Sequence, residues 1–479
     1  MSAEQNTPLP ADASGSNQAF IPPAPLVEFM ATGWIDRPSV AQPQPQAQRF
    51  AQRRAALSQA NRGIYVVVPA GLERVRANDT FFRFRASSDF AYLVGNGEPG
   101  AVLVLEPDGA RHRSVLFVLD HNRGTPEFFT DRQVGELWVG RHRGVAESRT
   151  YYEVDDCRSL KQLGAYLQEL RDAKYPLRVM RGYDEDIDRA FERSDGDAEL
   201  AEALSETRLI KDEYELAELR KACAVTKAAF EDAARAMRTA TSERAIEAAF
   251  WSRARIEGND VGYLTIAAAG DHACTLHWTH NDGRLTPGTL LLLDAGVECD
   301  SLYTADVTRT LPISGRFSPE QRTIYDLVWE AQRAGIEAVA PGNDFLEPGR
   351  RAARILAQGL IDLGILKVSL DEALDPDRLL HRRYTLHGVS HMLGLDVHDC
   401  ANAREAEYRY GRLREGMVLT VEPGLYFQPD DGTVPERFRG IGIRIEDDIA
   451  VTNEGAENLS GALPSKADEV EAWLARTSA

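Results

Sequence analysis

Two apolar runs in this chain each end on a carboxylate, and they match position by position. Residues 287–297 read PGTLLLLDAGV and residues 415–425 read EGMVLTVEPGL, so Gly288 matches Gly416, Leu291 matches Leu419, Asp294 matches Glu422 and Gly296 matches Gly424. Each copy is followed by a second strand-like run with a further acid, Asp306 in TADVTRT and Glu446 in GIRIEDD. A single acid before a glycine is ordinarily a turn after a strand; a second copy with Glu in place of Asp shifts the balance towards chemistry. Bare carboxylates at the ends of apolar strands carry a heavy desolvation penalty. Four that converge also repel, so they demand cations or protonation. Two divalent ions would supply the missing charge. Between the copies lies HGVSHMLGLDVHD, with His387, His391 and His398 among Gly388 and Gly394, glycines that permit close backbone approach. A lone histidine is usually structural, but three in one short segment raise the ligand reading. Oxygen donors with one imidazole suit Mn²⁺ or another hard-to-borderline ion and leave Zn²⁺ or Co²⁺ open. The pattern is that of a two-metal hydrolase.

The elements that must position these groups are also legible. Four consecutive leucines before Asp294 predict a strand buried on both faces. In GIRIEDD, Ile441, Ile443 and Ile445 share one strand face, so Arg444 and Glu446 share the other. Arg444 is thereby placed to orient or neutralise the carboxylates. Asp212 with Glu215 predicts a capping box, and Leu216, Leu219, Cys223, Thr226 and Phe230 then form a helical stripe. Ser318 followed by Pro319 predicts a second helix start. These signals describe an α+β domain over 205–479, built from two related halves. Upstream, residues 49–204 read as an α/β domain, with strand-like runs GIYVVVPAG, GAVLVLEP, HRSVLFVL and PLRVMRG, and with Leu160, Leu163, Leu167 and Leu170 at helical spacing. Residues 1–48 are rich in Pro, Ala and Gln and predict a flexible tail.

Bulk properties narrow the classes. At 479 residues there is room for two or three domains. A formal net charge of −19 argues against nucleic acid as a partner. The five cysteines, Cys157, Cys223, Cys274, Cys299 and Cys400, are scattered without a CxxC pair, which points to a reducing cytoplasm. No run approaches the roughly 20 apolar residues of a membrane span, and the N-terminus has no signal-like pattern.

The ordered set FFRFRASSDFAYLVG, LWVGRHRG, RLIKDEYELAELRKA, LHW, DAG, ADVTRT, HGVSHMLGLDVHD, LTVEPGLY and RGIGIRIEDDI resembles the Xaa-Pro aminopeptidases (aminopeptidase P) of the pita-bread metallopeptidases. The resemblance covers nearly everything after the tail. It implies a creatinase-like N-terminal domain and a pita-bread catalytic domain with a pseudo-twofold internal repeat. It implies two divalent ions, Mn²⁺ foremost, held by Asp294, Asp306, His391, Glu422 and Glu446, with Asp306 and Glu446 bridging. The implied reaction removes the N-terminal residue from peptides with proline second, by attack of a hydroxide held between the ions. Glu422 would move the water proton, and His277 and His398 would hold substrate and stabilise the oxyanion. His387 and Arg444 would line the site. Prolidase, which takes X-Pro dipeptides, is the alternative, followed by a metal-free binding relative. A peptide substrate, no membrane partner and a homodimer or homotetramer are implied, with Trp138 as a subunit contact or a core residue. One departure stands out: eleven residues separate Asp294 from Asp306, one more than expected. A bulge would absorb it, whereas a register slip would turn Asp306 away.

Overall fold

The computed structural model describes residues 22–35 and 41–477. Part of the stretch read as a tail, residues 1–21 and 36–40, lies outside the described residues. Ala24–Met30 and Ala47–Ala60 are helices. The chain divides into two compact units between Leu200 and Ala201.

In the first unit the four expected runs become strands Tyr65–Pro69, Val102–Asp108, Arg111–Val118 and Leu177–Val179. A fifth strand, Asp156–Ser159, pairs in parallel with Val115–Val118 at the sheet edge. Its sequence, DCRS, has no apolar alternation; a partner strand, rather than its own pattern, makes it a strand. Helix Leu163–Asp172 buries Leu167 and Leu170, and Leu167 packs on Val67, Val102, Val104, Val115 and Phe117 of the sheet. Trp138 is half-exposed, so it is not a core tryptophan.

The second unit repeats one plan twice. Helices Glu213–Met237 and Glu243–Glu257 precede the first hairpin, and helices Pro319–Glu337 and Glu347–Asp362 precede the second. The expected capping box of Asp212 with Glu215 is present, and at the second expected helix start Ser318 caps the helix with Pro319 in its first turn, Gln321 completing a further box. Leu216, expected in the buried stripe, is only partly buried. Glu215 turns inward beside it and accepts a hydrogen bond from the Tyr303 hydroxyl at 2.6 Å.

Strand Leu290–Asp294 lies between antiparallel partners Ile266–Ala269 and Thr308–Pro312, and all five of its residues are buried. In the second half, Val418–Val421 pairs with Asp447–Thr452, and Gly424–Tyr426 pairs with Gly442–Arg444. On the other side of Val418–Val421 runs the histidine segment. Thr420 N donates to His391 O and Glu422 N to Val389 O, both at 2.9 Å. Gly288 and Gly416 open the two matched runs with φ of 88° and 85°, a left-handed turn that glycine enters without strain. One apolar cluster joins the halves, including Phe230, Phe250, Leu291, Leu293, Tyr325, Leu356 and Ile443. Truncating any of these to alanine would cost about 2–5 kcal/mol, so the two hairpins are held on one rigid body.

Candidate active site

Hairpin register decides where the acids point. Asp294 opposes Thr308. Bonds from Ala295 N to Val307 O (3.1 Å) and from Ala305 N to Val297 O (3.2 Å), with the Glu298–Thr304 bridge, carry that register unbroken to the turn. The additional residue is taken up in the loop Asp300–Leu302. There Leu302 N donates to Cys299 O at 2.8 Å and Leu302 has a φ of 67°. Three-residue hairpins close in this way, a turn followed by a left-handed residue that forms a bulge. Glycine is the usual occupant, and leucine costs about 1–2 kcal/mol there. Leu302 is fully buried, and that burial offsets the strain. The bulge therefore sits at the turn, and Asp306 stays on the face of Asp294, opposite Gly296. A Cβ on Gly296 would lie 1.7 Å from Ala305 O, so only glycine fits.

The second hairpin differs. Its register places Arg444 opposite Gly424 and, carried through, Glu446 opposite Glu422. Asp294 and Glu422 are equivalent, as the matched runs imply, but the four acids as a set are not. The register counterpart of Glu446 is Thr308, and that of Asp306 is Arg444. The further acids of the two copies, Asp306 and Glu446, thus stand at different register positions.

Across the halves the groups converge. One ligand atom each from Asp306, His391 and Glu446 lie within 4.8 Å of one another. His391 Nε2 stands 3.2 Å from Asp306 and 3.5 Å from Glu422. His387 reaches Glu422 through Nδ1 at 3.4 Å and the Tyr426 hydroxyl through Nε2 at 2.7 Å. Asp294 is tied in less directly. The Tyr263 hydroxyl is shared between Asp294 (2.6 Å) and Asp306 (2.5 Å), and the Arg444 guanidinium donates to Asp294. Arg444 also donates to the Tyr426 hydroxyl (3.0 Å) and Thr308 Oγ1 (3.2 Å), while Thr308 donates to Glu446 at 2.6 Å. His398 packs edge-on against His391 with ring centroids 4.4 Å apart. His277 and His398 are both exposed, and the charge of His277 contributes to lowering the pKa of His398, after burial and His391.

Thr308, Tyr426 and Tyr263 were missed in the sequence. Period two could have found the first two, because Thr308 follows Asp306 by two and Tyr426 follows Glu422 by four. Tyr263 offers no such signal.

The electrostatics show a site short of positive charge. Burial pushes Glu446 well above the usual carboxylate range, and repulsion from Asp306, Glu422 and Asp294 adds to it. Asp294 is raised mainly by burial, against the pull of Arg444. For Glu422, burial is outweighed by the hydrogen bond and charge of His387, and then by His391 and Arg444, so its pKa falls. His391 rises to about 9 despite burial, through its hydrogen bond to Asp306 and the charges of Glu422 and Asp306. Hard oxygen donors with one imidazole, buried and mutually repelling, fit a divalent metal.

A model of metallopeptidase family M24 matches residues 217–453, and one of the aminopeptidase P N-terminal domain matches residues 50–177. Xaa-Pro aminopeptidase 1 of Streptomyces coelicolor is 50% identical over 457 residues, covering 94% of this chain and 92% of that protein. The chain belongs to the Xaa-Pro aminopeptidase family. The Xaa-Pro aminopeptidase of Escherichia coli is 37% identical over 445 residues, covering 89% of this chain and 97% of that one. The structure of aminopeptidase P from E. coli with the inhibitor Pro-Leu superposes with a TM-score of 0.81 at 34% identity, covering 91% of this chain and 99% of that chain. The expected fold, an aminopeptidase P N-terminal domain followed by a pita-bread domain, is that of the family, and the chain is an M24-class hydrolase. Among the described residues no helix is long and apolar enough to cross a membrane. All five cysteines are free and buried.

Proposed function

We propose that this protein is a metal-dependent aminopeptidase that releases the first residue from peptides with proline in second position. The observation that carries the reading is the convergence of Asp306, His391 and Glu446 within 4.8 Å, with Glu422 beside His391. The printed names of the relatives support the substrate class.

Asp294, Asp306, His391, Glu422 and Glu446 would hold two divalent ions, Mn²⁺ foremost. When bound, such ions lower the pKa of water and polarise the scissile carbonyl. The remaining work falls to the side chains. Glu422, held ionised by its histidine neighbours, accepts the proton of the attacking water and delivers it to the leaving nitrogen. Arg444 and Tyr263 fix the carboxylate of Asp294. His387 braces Glu422. His277 and His398, both exposed, hold the substrate carbonyl and its developing oxyanion. An X-Pro bond has no N–H, so the site must grip the peptide by its free amine and the proline ring.

The catalytic domain is residues 205–479 and the creatinase-like domain residues 49–204. The protein works in the cytoplasm as a homodimer or homotetramer. The test is one assay of metal-loaded protein on X-Pro-Y tripeptides beside X-Pro dipeptides. Release of X from the tripeptide is expected. Cleavage of the dipeptide alone would assign prolidase, and inert protein that binds no metal by elemental analysis would sink both enzymes.

A further inference from the structure

Resting on that reading, we infer that Glu243 is a positioning residue for the reaction, a buried clamp that sets the loop carrying His277. Glu243 opens helix Glu243–Glu257 and is fully buried. Its carboxylate is surrounded on both oxygens by one loop. Oε1 accepts from Ala269 N at 2.7 Å and lies 2.8 Å from His272 Nδ1. Oε2 accepts from the Trp278 indole at 2.9 Å and from Gly283 N at 2.6 Å. The Glu243 backbone N–H closes the ring by donating to Gly283 O at 3.0 Å.

These contacts span both ends and the middle of residues 269–283, a stretch with little regular structure of its own. Its start, Ala269, is the last residue of the strand that pairs with Leu290–Asp294, where it faces Leu291. Its middle is Trp278, the neighbour of His277, stacked on His272 at 3.9 Å between centroids. A second buried anchor works from within. Asn281 is fully buried with φ 49°, accepts from Ala267 N and donates to Thr265 O, both at 2.9 Å. Gly283 leaves room for the clamp, because a Cβ there would lie 2.6 Å from His272 Nδ1 and 2.7 Å from Glu243 Oε1.

His277 is exposed, so its position is inherited from these neighbours. A carboxylate is the group that can do this: both of its oxygens accept, whereas an amide would aim its own N–H at two donors. A displacement of about 1 Å in a catalytic group can cost roughly 10²-fold in rate, which is the scale on which a loosened clamp would register.

The experiment is a double-mutant cycle on the full-length, metal-loaded protein, with Glu243→Gln, His277→Ala and the combination, assayed on an X-Pro-Y tripeptide. Hydrogen exchange over residues 266–285 is measured in parallel. Glu243→Gln should lower kcat about 10²-fold, leave metal content unchanged and speed exchange in that segment. The double variant should be no slower than His277→Ala, because both losses act through one histidine. Effects that multiply, or unchanged exchange, would overturn the inference. If Glu243→Gln does not fold, Trp278→Phe removes one bond of the clamp, and about a tenfold loss with the same non-additivity is expected. Wild-type protein inactive on the tripeptide would overturn the aminopeptidase reading, while the exchange result would still judge the clamp.

Discussion

The two hairpins share a backbone plan and exchange their side chains. At the end of each central strand stands an acid, Asp294 in the first half and Glu422 in the second. Opposite them the chemistry diverges, Thr308 against Asp294 and Glu446 against Glu422. Two residues nearer each turn it diverges with opposite sign, Asp306 in the first half and Arg444 in the second. On the flanking strand Ala268, facing Leu292, occupies the place that His391 takes facing Thr420. The exchanged positions then complete each other across the halves. Arg444 of the second hairpin reaches Asp294 of the first, and Thr308 of the first reaches Glu446 of the second. Duplication supplies a symmetrical frame, and departures from symmetry supply the cation, the imidazole and the hydroxyl that a ring of like charges needs. Both histidines that lower the pKa of Glu422 come from the second half.

Changes at single positions can break this comparison. The largest effect is expected at the two matched acids. Glu422→Gln should reduce kcat by about 10³-fold or more with most of the metal retained, whereas Asp294→Asn should lose metal first; elemental analysis beside kinetics separates them, and equal behaviour would erase the division of labour. Next comes the anchor of the histidine segment. Asp399 is buried with Arg208 Nε at 3.0 Å and Lys211 Nζ at 3.4 Å, and Asp399→Asn, by removing the negative charge that faces two buried cations, should destabilise by about 3–5 kcal/mol in denaturant unfolding. Although burial opposes it, Arg208 and Lys211 hold the Asp399 carboxyl below its ordinary 3.8. The stabilisation is therefore complete above that value and is lost as pH falls through the depressed one. Acid unfolding of the wild type should show this loss, and the variant should lack it.

Thr308→Val tests the exchange itself. It removes the hydroxyl that links Glu446 to Arg444, and metal affinity or turnover should fall about 10–100-fold; wild-type titration and kinetics would make Thr308 a bystander. The smallest effect concerns the turn. Deleting Ser301 shortens the loop without altering strand parity, so turnover should stay within a few-fold. Inserting a glycine between Gly296 and Val297 should abolish it by turning Asp306 to the other face. Similar losses from both changes would mean that loop length, rather than register, governs the site.

Much of this was legible along the chain. The buried strand before Asp294, the capping box at Asp212, the helix start at Ser318, four strands of the first sheet and the shared face of Arg444 and Glu446 follow from short-range periodicity and cap chemistry, which need only a few neighbouring residues. Thr308 and Tyr426 were open to the same period-two count. Edge strand Asp156–Ser159 and Tyr263 were not, because a polar strand is made by its partner and a bridging phenol by what stands across from it.

What the sequence determined by itself is the inventory: the duplicated acids, the histidine segment between them and the helices that frame each copy, because side-chain type and local period are properties of the chain. What the tertiary structure decided is the pairing. Register across strands placed Thr308 as the counterpart of Glu446, kept Asp306 inward despite an additional loop residue, and brought Glu243 beneath the His277 loop. Those relations join residues far apart in the chain, and burial, hydrogen-bond geometry and charge complementarity fix them only once the halves have closed on one core.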